Sequence, residues 1–236
     1  MIRMTPTFQT KDFDVFLFDK NDTGLHDVIK ISVEDLVATH RDTDRKIAFI
    51  SSANSLGFMD GGSDLGYMKA INGIQTFVQN GIKELGYLTN LGRPHLYIGD
   101  TMGFELPSNA NILFISAPTM FLPQNVKGSD NQYVALKSAL QICKACGVEQ
   151  VYTPMMCTNW GGYDYNTSYN LMKKAVQDYN EAITSKIRRN GKYIYNITSE
   201  ATKKEILSKQ PKVYMNTEFG ISNFDVMNEI SKRTRP

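Results

Sequence analysis

No apolar run in this 236-residue sequence is long enough to cross a bilayer, and no basic segment followed by an apolar stretch marks a secretory leader. Neither a membrane span nor export is therefore expected. Cysteine is scarce: three residues, an odd number, do not make a disulfide framework, and they point to a reducing, cytoplasmic setting. Cys143 and Cys146 form a C-x-x-C, but inside a helical pattern with no second pair and no histidine nearby, so they read as a helix face. No metal and no cofactor are expected. The three histidines, His26, His40 and His95, fall in no motif. Two nucleotide signatures are also missing, the Gly-Lys-Ser/Thr of a Walker loop and the G-x-G-x-x-G of a dinucleotide fold.

What remains is ordinary for a globular protein, with 42% hydrophobic and 21% charged residues. The net charge of +2 is uneven. Residues 186–236 hold eleven Lys and Arg against five Asp and Glu, a net +6, which leaves −4 for the rest. A basic end could meet nucleic acid or an acidic partner. Its charges are interspersed with apolar residues, the pattern of a solvated face, and that reading is preferred.

The chain is organised around residues 47–66, IAFISSANSLGFMDGGSDLG. A short apolar run reads as a buried strand, a glycine-rich loop follows, and helical spacing begins at Gly66. Such a loop lets backbone N–H groups approach an anion, and the helix start adds its positive dipole end. Asn54 and Asp64 flank this loop. Further strands are expected at Asp12–Asp19, His26–Val33, His95–Leu106, Asn111–Ala117, Gln150–Met156, Lys192–Ile197 and Lys212–Asn216. The first two could form a hairpin about the Asn21–Gly24 turn; a helix through Gly24–Ala38 competes with it. Helices are expected at Leu65–Leu85, Asp130–Cys146, Asn166–Ile187 and Ser199–Ser208, with a short one from Asn223. Apolar strands alternating with amphipathic helices, with no repeat or linker, imply one α/β domain over 1–236 with a basic C-terminal extension from about 186. The architecture is a three-layer α/β/α sandwich with a mixed, largely parallel central sheet. In such sheets ligands bind beyond the carboxyl ends of the strands, where a second loop, residues 157–165 (CTNWGGYDY), should lie beside the first.

Three segments in order resemble one family. Ser51-Ser52-Ala53-Asn54-Ser55 with Gly57-Phe58-Met59-Asp60-Gly61-Gly62-Ser63-Asp64 is similar to the first phosphate loop of macro domains, the ADP-ribose-binding family that processes ADP-ribose 1″-phosphate. The serine-rich A-N motif before G-F-M-D-G-G-x-D resembles a phage-type branch. Ser116 to Met120, with Asp130 to Tyr133, resembles the middle of that branch, and Thr153 to Gly162 its second phosphate loop; together they cover residues 28–179. The resemblance implies a macro-domain-like fold with ADP-ribose as ligand. It assigns Ala53 and Asn54 to the distal ribose and Gly61, Gly62 and Ser63 to the first phosphate loop. Asp64 takes the place of a family carboxylate, and Thr158, Asn159, Trp160, Gly161 and Gly162 form the second phosphate loop. Asp35 is the candidate for the adenine amino group, with Asp22 as the alternative, and Phe219 for stacking on adenine. Two departures stand out: Asn159 replaces a usual glycine, tolerable because Asn accepts φ > 0, and Gly161 replaces a usual aromatic, for which Trp160 could substitute.

The resemblance implies binding of ADP-ribose and hydrolysis of an ADP-ribosyl linkage, on a modified protein or on ADP-ribose 1″-phosphate, with Asn54 and Asp64 as the catalytic pair. The alternative is a non-catalytic ADP-ribose reader. The expected partner is ADP-ribose or an ADP-ribosylated macromolecule; no membrane is expected, and nucleic acid enters only through the basic end.

Overall fold

The computed structural model describes residues 5–89, 92–181 and 185–210. Among the described residues nine strands form one sheet. In chain order they are β1 (Phe8–Gln9), β2 (Asp14–Asp19), β3 (Ile29–Lys30), β4 (Ile47–Asn54), β5 (Thr101–Leu106), β6 (Asn109–Met120), β7 (Gln150–Pro154), β8 (Ser185–Asn190) and β9 (Tyr193–Thr198). Their order across the sheet is β1-β2-β7-β4-β6-β5-β9-β8, and β3 pairs with β2. The central four, β2, β7, β4 and β6, are parallel. β5, β9 and β8 continue the sheet antiparallel.

The middle strands are apolar on both sides because both faces are covered. Along β4, Ala48 and Ile50 point into one core with Leu113, Leu136, Ala139 and Met172. Ile47 and Phe49 point into the other with Leu36, Tyr67, Val78 and Phe114. The first face carries α4 (Asn131–Ala145) and α5 (Tyr165–Asp178); the second carries α1 (Val33–His40), α2 (Gly62–Ala70) and α3 (Ile74–Leu85). α6 (Glu200–Ser208) follows β9. This is the mixed, mostly parallel α/β/α sandwich that the sequence pattern implied. Among the described residues no helix is long and apolar enough to cross a membrane.

Several element boundaries differ from expectation. The helix expected over Leu65–Leu85 is two helices, because Ile71 is extended and Gly73 takes φ 72, which starts a new axis at Ile74. The run His26–Val33 yields only Ile29–Lys30, parallel to β2 rather than a hairpin partner. Ser32 caps a helix there, accepting from Asp35 N, so α1 occupies Val33–His40, the later part of the helix weighed over Gly24–Ala38. The helix expected to reach Ile187 ends at Asp178, and residues 185–190 instead pair with β9 across the two-residue turn Gly191-Lys192, with Gly191 at φ 54. β6 runs past Pro118, and the ladder to β4 shifts register beside it, between Ala53 and Asn54, where proline offers no N–H. The strand expected at Lys212–Asn216 and the helix from Asn223 lie outside the described residues.

α6 is held to the segment before β5 by a buried ion pair, Lys203 Nζ to Asp100 Oδ2 at 3.7 Å. The ammonium also lies 4.3 Å from the ring centre of Tyr97 and 4.7 Å from that of Tyr87. Burial pushes the Asp100 carboxyl from 3.8 to about 6, while Lys203 and the Thr198 N–H pull it back only in part. Burial opposes the Lys203 charge too and is the largest single influence on it, but Asp100, Glu200 and Tyr87 together outweigh it and the pKa rises. Both pKa values thus rise, which favours the charge on Lys203 and disfavours the charge on Asp100, so the carboxylate is the strained partner. Its folded pKa lies above the unfolded value, so ionising it costs stability as pH rises from about 4 to 6. Lys203→Met removes the compensating cation and enlarges that cost. The variant is expected to fall furthest below the parent above pH 6 and to recover toward it as Asp100 takes a proton at lower pH. Thermal unfolding from pH 5 to 8 checks this; a deficit that does not change with pH contradicts it.

Candidate functional site

β4 and β7 are neighbours and parallel, so the loops that leave their carboxyl ends emerge on the same side of the sheet. Between these loops lies a cleft of about 390 Å³. One wall comes from residues 52–66. Ser52, Ala53 and Asn54 end the strand, Phe58 and Asp60 follow, and Gly61, Gly62, Ser63 and Asp64 open α2. Gly62 has φ 57, a conformation open mainly to glycine, which turns the chain into the helix with its first N–H groups exposed at the helix start. The opposite wall is Cys157, Thr158, Asn159, Trp160 and Gly161. Asp19, Lys20, Ser32, Glu34 and Lys69 also line the cleft.

The two loops touch. Trp160 is 63% exposed, and its indole nitrogen lies 3.6 Å from where a side chain on Gly61 would begin. Gly161 is held from behind, its carbonyl accepting from Val126 N at 3.0 Å. A side chain on Gly161 would start 2.5 Å from the Cys157 carbonyl oxygen, so only glycine fits this turn. Asn159 does not take the left-handed conformation for which its tolerance was noted. Cys157 does, at φ 60, and it is the one non-glycine residue with positive φ among those described. Its conformation is held by neighbours: Tyr163 N donates to its carbonyl at 3.0 Å and Ser168 Oγ donates to the preceding Met156 carbonyl at 2.6 Å. Burial pushes the Cys157 thiol up to about 12, which makes it a poor nucleophile.

Asn54 and Asp64 both line the cleft and both are buried. Asn54 Oδ1 accepts from Leu56 N and Phe58 N, each at 3.2 Å, and its Nδ2 donates to the Phe58 carbonyl at 2.6 Å. Its amide therefore builds the start of the loop. Asp64 is the third residue of α2 and is only 6% exposed. The N-cap is Gly61, with no side-chain cap, and Asp64 Oδ1 accepts from Ser51 Oγ on β4. The positive end of the helix favours its charge. Burial, and then the Asp64 charge, push the Tyr67 hydroxyl well above its ordinary range.

Of the residues singled out from sequence, Ala53, Asn54, Gly61, Gly62, Ser63, Asp64, Thr158, Asn159, Trp160 and Gly161 come together around the cleft. Gly162 lies behind the wall, against the Asn125 side chain. Asp35 does not line the cleft. It is exposed on α1, where its carboxylate accepts from Ser32 Oγ at 2.7 Å and its N–H donates back at 3.1 Å. Asp22 accepts from Gly24 N in an exposed turn. Phe219 lies outside the described residues. Sequence reading missed Asp19 and Glu34, two further carboxylates that line the cleft beside Asp60 and Asp64. Asp19 was findable, since it ends a strand parallel to and beside β7.

No protein-family model and no curated protein matches the chain. Solved structures do. A glycine-to-valine mutant of the Oceanobacillus iheyensis macrodomain with ADPR aligns at TM-score 0.51 and 12% identity, over 74% of this chain and 82% of that one. The macrodomain of Mycobacterium tuberculosis DarG aligns at 0.49 and 14%, over 70% and 91%. Thermosipho africanus DarTG in complex with ADP-ribose aligns at 0.46 and 17%, over 58% and 36%. The first of these likenesses shows that the chain has the macrodomain fold.

Asn54→Ala is expected to cost about 1–3 kcal/mol, because it removes the acceptor of the buried Leu56 N–H and a bond to the half-buried Phe58 N–H. Chemical unfolding reads the loss, and faster amide exchange at Leu56 and Phe58 localises it. Unchanged exchange there would show that the side chain does not hold the loop.

Proposed function

We propose that the cleft binds ADP-ribose and hydrolyses an ADP-ribosyl linkage, on an ADP-ribosylated protein or on ADP-ribose 1″-phosphate. The observation that carries this reading is the meeting of two glycine loops at the ends of β4 and β7, with Asn54 and Asp64 in one and Trp160 of the other over Gly61. The diphosphate lies between the backbone N–H groups of residues 61–63 and 158–161, at the positive end of α2. The adenine lies at the end lined by Asp19 and Glu34, not at Asp35, whose carboxylate is committed to Ser32. The distal ribose lies at Asn54, beneath Trp160.

Hydrolysis requires water to attack C1″ as the bond to the leaving group breaks. Asp64 accepts the proton of that water, and the clamped diphosphate fixes the sugar for attack. The ADPR of the Oceanobacillus iheyensis macrodomain and the ADP-ribose of the Thermosipho protein supply the ligand for this reading. The serine-rich first loop supports a reading as the phage-type branch, and we read the chain as one domain with a basic C-terminal part. Its three free thiols fit a reducing cytoplasm.

The second reading is a reader that binds ADP-ribose without turnover. Asn54 favours it, because three of the hydrogen bonds its amide can make already go to the loop.

Trp160 is the sole tryptophan of the chain, so intrinsic fluorescence reports on the cleft directly. ADP-ribose is expected to change that emission and, at a hundred times its dissociation constant, to stabilise the fold by about 2.7 kcal/mol. Millimolar ADP-ribose that moves neither emission nor Tm overturns the binding claim. Asp64→Asn separates the two readings. As an enzyme, the variant keeps its affinity and loses turnover on the order of 10²-fold. Wild-type protein that binds but releases nothing from any ADP-ribosylated substrate is a reader.

A further inference from the structure

Ser51 stands one layer below the cleft. It lies near the end of β4, is 1% exposed, and does not line the cavity, yet its hydroxyl donates to Oδ1 of the cleft carboxylate Asp64. Serine is an unusual choice for this place. The alternate positions before it on the same face, Ile47 and Phe49, belong to the apolar core. Directly opposite Ser51 in the β4–β6 ladder is Ser116, equally buried, whose Oγ has no hydrogen-bond partner. Tyr67, one turn beyond Asp64 in α2, is fully buried beside them and donates to the Ile50 carbonyl at 3.4 Å. A buried carboxylate is tolerated only with hydrogen-bond donors around it, and a donor to its charged form favours that form.

We propose that Ser51 is a positioning residue: its hydroxyl, donating from the strand beneath, holds Asp64 ionised and fixes the direction in which that carboxylate faces the cleft. The inference rests on the reading of Asp64 as the proton acceptor for its consequence in turnover, but not for its effect on Asp64 itself. The other charged or titratable groups that line the cleft with Asp64 are Lys69 on α2, Asp60 before it, Glu34 from α1, Asp19 and Lys20 at the end of β2 and Cys157 from the loop after β7, and Tyr67 on α2 feels the Asp64 charge.

The test is the pH titration of the Asp64 carboxyl carbon by NMR in the ligand-free protein, for the parent and three variants. Ser51→Ala is expected to raise the proton affinity of Asp64 about tenfold, the loss of one hydrogen bond to a charged group. Ser51→Thr, which keeps the hydroxyl, restores the parent titration. Ser116→Ala removes an equally buried hydroxyl that does not touch Asp64, and leaves the titration in place. Should Ser51→Ala not fold, Ser51→Cys, with its weak S–H donor, shows a smaller movement in the same direction. The proposal is overturned if Ser51→Ala leaves Asp64 unmoved, or if Ser116→Ala moves it equally. Calorimetry with ADP-ribose on the parent runs beside it: failure to bind defeats the proposed function while the titration still decides the role of Ser51. Where turnover is present, the acid limb of its pH profile moves up in Ser51→Ala with the titration.

Discussion

Ala48 pairs with Val151 and Phe49 with Tyr152, so β4 and β7 lie side by side and point the same way. Everything distinctive about the cleft follows from that pairing. A parallel neighbour places two strand ends on one edge, and each strand must leave through a loop to reach its own crossover helix. The loop after β4 enters α2, and the loop after β7 enters α5. Both are glycine-rich because they must turn sharply in little space; Gly161 packs against its own loop at a distance no side chain could occupy. The sheet is thus the rigid part, and the two loops are the adaptable part built upon it.

The apolar cores on the two faces have a second consequence. They leave few places for polar groups, so those that are buried near the cleft are organised. Asn54 shapes the loop through backbone contacts, and Asp64 receives support from the strand below. Away from the cleft, the Lys203–Asp100 pair does similar work for α6, at the cost of a carboxylate that resists ionisation.

The central strands and the helices with long apolar stripes were legible because burial on both faces leaves a continuous apolar run, and burial on one face leaves a helical stripe. What escaped were choices made by single residues. Ser32 can cap a helix or extend a strand; the cap won, and took Asp35 away from the cleft. Gly73 looked like an ordinary helix residue, but its left-handed backbone divides α2 from α3. Asn190-Gly191 is a hairpin signal that the helical reading of the preceding residues overrode. Within the site, the glycines and the pair Asn54 and Asp64 were visible in the loop sequences. Asp19 closes an expected strand and could have been placed at the carboxyl edge of the sheet; Glu34 could not, since it sits on α1, the helix that Ser32 starts after β3. Ser51 was visible only as the first residue of its serine-rich motif, while its bond to Asp64 spans thirteen positions and exists only once α2 has folded onto β4.

The most direct test of the account is a crystal structure of the protein grown with ADP-ribose. The expected result is a diphosphate between the backbone amides of residues 61–63 and 158–161, with the distal ribose at Asn54 and Asp64 under Trp160. ADP-ribose seated elsewhere on the molecule, or a cleft that stays empty at saturating ligand, would contradict it.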